Sequence, residues 1–65
     1  MDEWISVFDD MPQIKRGLSH VSVDVIAKLK DKTEVKAFYA DNYDEWFYAD
    51  NCHKIYQKVI AWKSI

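Results

Sequence analysis

Hydrophobic and polar residues alternate along most of this chain, and the alternation has the period of a strand. The clearest run is Val21 to Lys30, where Val21, Val23, Val25, Ala27 and Leu29 fall on one face and mostly polar groups on the other. Asp31-Lys32-Thr33 makes a short polar turn. Glu34 to Ala40 then alternates again with Val35, Ala37 and Tyr39 inward, so the two runs predict a hairpin held by cross-strand pairs. Upstream, Trp4-Ile5-Ser6-Val7-Phe8 reads as a first strand, closed by Asp9-Asp10-Met11-Pro12 because proline has no N–H to give to a ladder. Gln13 to His20 carries the turn signal Lys15-Arg16-Gly17 and reads as a loop.

Downstream of the hairpin, Asp41-Asn42-Tyr43-Asp44-Glu45 is a polar break before a short aromatic strand, Trp46-Phe47-Tyr48-Ala49, and Asp50-Asn51 turns the chain once more. The segment Ile55 to Ile65 admits two readings. Ile55, Val59 and Trp62 fall at helical spacing, which allows a helix over 56–65, whereas the β-branched and aromatic content of Val59-Ile60-Ala61-Trp62 favours a strand. The expected fold class is small and β-rich, all-β or α+β: a four- to five-stranded antiparallel sheet with room for one short helix.

Size sharpens this picture. A chain of 65 residues holds one domain, here residues 1–65, and buries only about 60% of its unfolded surface, so its core must be dense in large side chains. Trp4, Trp46 and Trp62, with four Tyr and three Phe, supply that bulk. One Gly, one Pro and no repeat predict a chain that is compact throughout. Cys52 is the only cysteine, so neither an intrachain disulfide nor a four-Cys zinc site can form, and a reducing compartment fits best. No apolar run approaches the roughly 18 residues of a membrane span, and Met1-Asp2-Glu3 is acidic where a signal peptide would be basic. A cytoplasmic location, away from the membrane, is expected. The net charge of −2 offers no global field for a phosphate backbone, though a local basic patch remains compatible with it.

Two surfaces and one cluster could carry chemistry. The window from Tyr39 to Asp50 interleaves Asp41, Asp44, Glu45 and Asp50 with Tyr43, Trp46 and other rings and contains no Lys or Arg. Such a surface could oppose the basic groove of a nucleic-acid enzyme, with Tyr and Trp as anchors; the plain alternative is a solvated loop whose rings face the core. Lys28, Lys30, Lys32 and Lys36 form a basic strip around the hairpin. Lysines beside aromatics are how small β folds hold single strands, and they are also the ordinary protection of a sheet against aggregation. Asp44, Glu45, Asp50, Cys52 and His53 include metal-ligating types at no recognised spacing, with His20 distant in sequence, so no metal and no cofactor is expected. Cys52 and His53 are adjacent, and on an extended chain neighbours point to opposite faces, which argues against a thiol nucleophile with its base. Gly17 is the only glycine, so there is no phosphate loop or nucleophile elbow, and no enzymatic activity is expected.

Trp4-Ile5-Ser6-Val7-Phe8-Asp9-Asp10-Met11-Pro12 resembles the opening of a family common in phages and prophages, the domain of unknown function 551, whose members begin W-I-S-V-x-D-x-x-P. Val25 to Lys30, Val35 to Tyr39, Trp46-Phe47 and Val59-Ile60-Ala61-Trp62 occupy the places of that family's later segments in order. The loop from Gln13 to Ser22 is longer than the family's, and Ile65 stands where it would continue M-P-L-P. The resemblance implies a phage or prophage origin and a small β-rich fold, and it implies no reaction. Judged from the residues alone, Trp4 and Val7 would cover one edge of the core and Asp9 would accept backbone N–H groups in a turn.

Three functions are compatible with these features. One is a phage-type interaction protein that inhibits a bacterial defence or host nucleic-acid enzyme through the acidic, aromatic surface. The second is a nucleic-acid-binding accessory module using the lysine strip. The third is a self-associating assembly protein, for which a homodimer would be the simplest form.

Overall fold

The computed structural model describes residues 4–17 and 19–65. Five strands form one sheet: β1 (Ile5–Ser6), β2 (Val25–Leu29), β3 (Glu34–Ala40), β4 (Glu45–Tyr48) and β5 (Val59–Ser64). They lie in the order β1-β5-β2-β3-β4, and every pairing is antiparallel. The small β-rich fold with an antiparallel sheet is therefore as the periodicity predicts. No described residue is helical, and no helix among them is long and apolar enough to cross a membrane.

The β2–β3 hairpin follows from its sequence. Ala27 stands opposite Val35 and Val25 opposite Ala37, so the apolar rows of the two strands share one face. The turn is closed by Lys32 N–H donating to the Leu29 carbonyl at 2.9 Å and by Leu29 N–H donating to the Thr33 carbonyl at 2.8 Å. Lys32 takes a left-handed φ of 77°, a local strain that these bonds offset. Asp31 accepts from Thr33 N–H at 3.0 Å and from the Gln57 amide at 3.2 Å. The Thr33 side chain, then its N–H, and then Gln57 hold the Asp31 carboxyl below the usual carboxylate range.

Two elements depart from simple alternation. β2 does not run from Val21: the segment before it bends at Val23, which is 43% exposed rather than part of the inward row. Ser22 causes the bend. Its side chain is fully buried and its hydroxyl accepts from Tyr39 N–H at 2.8 Å while donating to the Val23 carbonyl at 2.9 Å. A side chain thus takes one ladder bond from β3, while the Ser22 N–H still donates to the Tyr39 carbonyl at 2.7 Å and the bridge Val21–Ala40 continues the pairing. On its other side the segment bonds the loop, through the bridge Ile14–Ser22 and Val23 N–H to the Gln13 carbonyl at 3.0 Å. The second departure is in β5. Leu29 pairs with Val59 and Lys28 with Ala61, so Ile60 is the extra residue of a bulge. The bulge puts Val59 and Trp62 on the same face although they are three apart, and both are buried, as is Ile55. The helical spacing of these three residues is therefore real as a burial pattern, but an irregular strand and the segment leading into it produce it.

Only one face of the sheet is sealed across its width; on the other, Ala40 is buried at the end of β3 where the Val21 segment pairs with it. Ala27, Leu29, Ala37, Ile55 and Val59 form the buried cluster, with Val7, Val35, Trp46 and Tyr48 packed against it. No second sheet or helix covers it; irregular segments do. Pro12 is buried, and the Trp62 indole N–H donates to the Asp10 carbonyl at 2.9 Å, which ties the segment after β1 across the C-terminal strand. In the opening motif it is Asp10, not Asp9, whose carboxylate accepts a backbone N–H, that of Met11 at 2.9 Å. The first strand is shorter than predicted: only Ile5 and Ser6 pair, with Trp62 and Ala61.

Replacement of Ser22 by Ala should cost about 1–3 kcal/mol, because the part-buried Tyr39 N–H loses its acceptor. Val23→Thr, in a side chain that strict alternation would bury, should stay within about 0.5 kcal/mol. Urea denaturation of both variants checks the pair, and the reverse ranking would refute the bend at Ser22.

Candidate docking face

The acidic window does not form one patch. Asp41, Tyr43 and Asp44 lie in the β3–β4 turn, where Asp44 takes a φ of 54°, while Asp50 lies in the turn beyond the other end of β4. The four residues of β4 put about 13 Å between these turns. Several of the carboxylates also have local partners. Asp41 Oδ1 is 3.3 Å from His20 Nδ1, Glu45 Oε2 is 3.0 Å from Lys54 Nζ, and Asp44 accepts the Tyr39 hydroxyl. Trp46 packs on the sealed side against the core and tilts over Tyr39 at 5.4 Å between ring centroids. Tyr43, 67% exposed, is the ring of this window that projects into water at the turn.

The lysine strip divides as well. Lys28 and Lys36 alternate with the buried residues of β2 and β3 and so stand on the opposite, unsealed face. Lys32 lies in the hairpin turn, and Lys30 lies just past the end of β2, where its N–H donates to the Lys58 carbonyl at 2.8 Å. The unsealed face gains residues that the strip does not contain. Lys63 follows the inward Trp62 and stands opposite Ile26. Trp4 brings its ring under both ammonium groups, with Lys28 Nζ 4.3 Å and Lys63 Nζ 4.7 Å from the ring centroid. Trp4 therefore covers no edge of the core. On the far half of this face, Phe38 and Phe47 are cross-strand partners whose rings stack at 5.6 Å and 16°.

The middle of this face mixes apolar, basic and acidic side chains, with Glu34 opposite Lys28. Trp4, Ile26, Lys28, Phe38, Phe47, Ala61 and Lys63 are all half-buried, and Lys36 is exposed. Among the described residues, no carboxylate lies within ion-pairing distance of Lys28, Lys36 or Lys63. Alternation alone could have found Lys63, since an inward Trp62 sends its neighbours outward. Trp4 could not be found that way, because a strand of two paired residues does not reveal which face is sealed.

Cys52 borders a shallow groove of about 350 Å³ beside the phenylalanine pair, together with His20, Val21 and Tyr43. The residue is exposed, takes a φ of 61° and donates its N–H to the Tyr48 carbonyl at 2.9 Å, which makes it part of the turn after β4. His53 continues that turn, its N–H donating to Asn51 Oδ1 at 2.9 Å. Among the described residues, no three His, Cys, Asp or Glu side chains come together as a metal site. On the sealed side, an open cleft of about 480 Å³ lies between the two covering segments, with Val7, Met11, Trp46, Ile55 and Val59 in its walls.

The chain matches no protein-family model, no curated protein and no solved structure.

One titration in this region is large enough to test. The hydrogen bond to Asp44, then partial burial, then the charges of Asp44 and Asp41 push the Tyr39 phenol up from 10.0 to about 12. A raised pKa means that the fold favours the neutral phenol, so the bond's contribution is complete below pH 10 and is withdrawn between pH 10 and about 12. Tyr39→Phe should therefore lose less stability than the wild type over that interval in urea titrations. Parallel losses in the two proteins would remove the Tyr39–Asp44 bond from the account.

Proposed function

We propose that this chain is a non-enzymatic interaction domain that docks on an anionic macromolecular partner through the unsealed face of its sheet. The observation that carries the proposal is the clustering of Trp4, Lys28, Lys63, Lys36, Phe38 and Phe47 on one side of a domain whose net charge is −2. Aromatic anchors beside cations that form no ion pair suit an anionic surface, and Glu34, opposite Lys28, is the acidic group such a partner would have to accommodate. A sheet face left half-buried also keeps apolar area in water that a partner could cover.

The resemblance of Trp4 to Pro12 to a phage and prophage family supports a phage-encoded interaction protein acting inside a bacterial host. A bacterial defence or host nucleic-acid complex is then a natural partner. The acidic end counts for less in this reading, since Asp41, Asp44 and Glu45 are engaged with His20, Tyr39 and Lys54.

Capture from bacterial lysate with three versions of the immobilised domain tests the choice of surface. Lys28→Glu/Lys63→Glu should lose at least tenfold of the material that the wild type retains, and Asp41→Asn/Asp44→Asn should retain it. Loss from the acidic-end variant alone would move the docking surface to the β3–β4 turn and overturn the proposal.

A further inference from the structure

The unsealed face is laid out as a track. Its strands are about 4.8 Å apart, so the distance from Trp4 beside β1 to Phe47 on β4 is about 19 Å. Across that width the side chains run Trp4, then Lys63 on β5, Lys28 and Ile26 on β2, Glu34, Lys36 and Phe38 on β3, and Phe47 and Glu45 on β4, with Glu34 directly opposite Lys28. Two aromatic stations thus share the face with three lysines, Trp4 against Lys28 and Lys63 and the phenylalanine pair beyond Lys36. Lys28 and Lys63 both approach the Trp4 ring, and neither ammonium has a carboxylate within ion-pairing distance among the described residues.

We infer that the occupant of this face is a single-stranded nucleic acid, its phosphates on Lys28, Lys63 and Lys36 and its bases stacked at Trp4 and at the Phe38–Phe47 pair. The inference rests on the docking reading above and names its partner. The chemistry of the face selects among polyanions. An acidic protein would match the lysines but has no systematic use for two ring stations beside them. A duplex hides its base faces in the stack, and a flat sheet face offers no helix or ribbon to enter a groove. A single strand presents anions and π-faces in alternation, and small sheets recognise it with lysines and exposed rings together. The overall charge of −2 fits a strand held by local contacts rather than drawn in by a long-range field.

Fluorescence anisotropy with labelled single-stranded DNA and RNA oligonucleotides of about 12 nucleotides, and with a duplex of equal length, tests this directly. At least one single strand should bind more tightly than the duplex. Three phosphate contacts predict a slope of log affinity against log salt near −2. Lys28→Gln/Lys63→Gln should reduce affinity by about tenfold or more, and Trp4→Leu by roughly tenfold. Lys30→Gln/Lys32→Gln, which removes the same charge from the hairpin end, should change it less than twofold. Circular dichroism of each variant separates loss of binding from loss of fold, and Phe47→Leu provides a second ring substitution should Trp4→Leu unfold.

Equal binding of duplex and single strand, or equal loss in the two lysine pairs, would overturn the inference by reducing it to general charge attraction. Absence of binding at low salt would overturn it as well. The lysate experiment keeps the two proposals apart. Capture that depends on Lys28 and Lys63 but survives nuclease treatment would remove the nucleic acid and leave the docking face. Capture indifferent to those lysines would remove both.

Discussion

A chain of this length has enough apolar surface to seal one side of a five-stranded sheet and too little to seal both. Every other feature follows from that constraint. The sealed side takes Ala27, Leu29, Ala37, Ile55, Val59 and Trp62, and its cover is made of irregular chain rather than a second layer of strands or helices. Irregular cover has unpaired backbone groups to place, and the bond from the Trp62 indole to the Asp10 carbonyl answers one of them while fixing the covering segment over the sheet. The same ring fills core volume and clamps the cover, so the N-terminal motif and the C-terminal strand depend on each other across the length of the chain.

Because the second side stays open, its residues answer to a different set of demands. Lysine is the expected occupant of an open sheet face, where it keeps the sheet in solution and blocks pairing with other sheets. Isolated lysines would meet that demand. What solubility does not require is a tryptophan under two of them and a stacked phenylalanine pair on β3 and β4. The rings keep apolar area in water at some cost, and the lysines beside them form no ion pair among the described residues, although Glu34 stands opposite Lys28.

The acidic residues show the opposite economy. Asp41, Asp44 and Glu45 are near enough to His20, Tyr39 and Lys54 to be used inside the fold, where they order the β3–β4 turn and the edge of β4. Along the chain they look like the most distinctive surface, since nothing in a linear pattern records that a cation from residue 54 or a phenol from residue 39 will come to meet them.

Local chemistry was enough to determine the hairpin of β2 and β3, the turn at Asp31 to Thr33, the inward row of Val35, Ala37 and Tyr39, and the β class of the molecule, because each depends on residues a few positions apart and on the two-residue period of a strand. Two elements were legible only in part: the burial of Ile55, Val59 and Trp62 was visible as a helical spacing, yet a bulge at Ile60 generates it, and the row beginning at Val21 was visible as a strand, yet the Ser22 hydroxyl takes a bond from Tyr39 and turns Val23 outward. The grouping of Trp4 with Lys28 and Lys63, and the separation of Asp41 from Asp50, were decided by tertiary structure alone. The physical reason is the strand order, which sets β5 between β1 and β2 and so joins the two ends of the chain across one sheet, a pairing that no local propensity encodes.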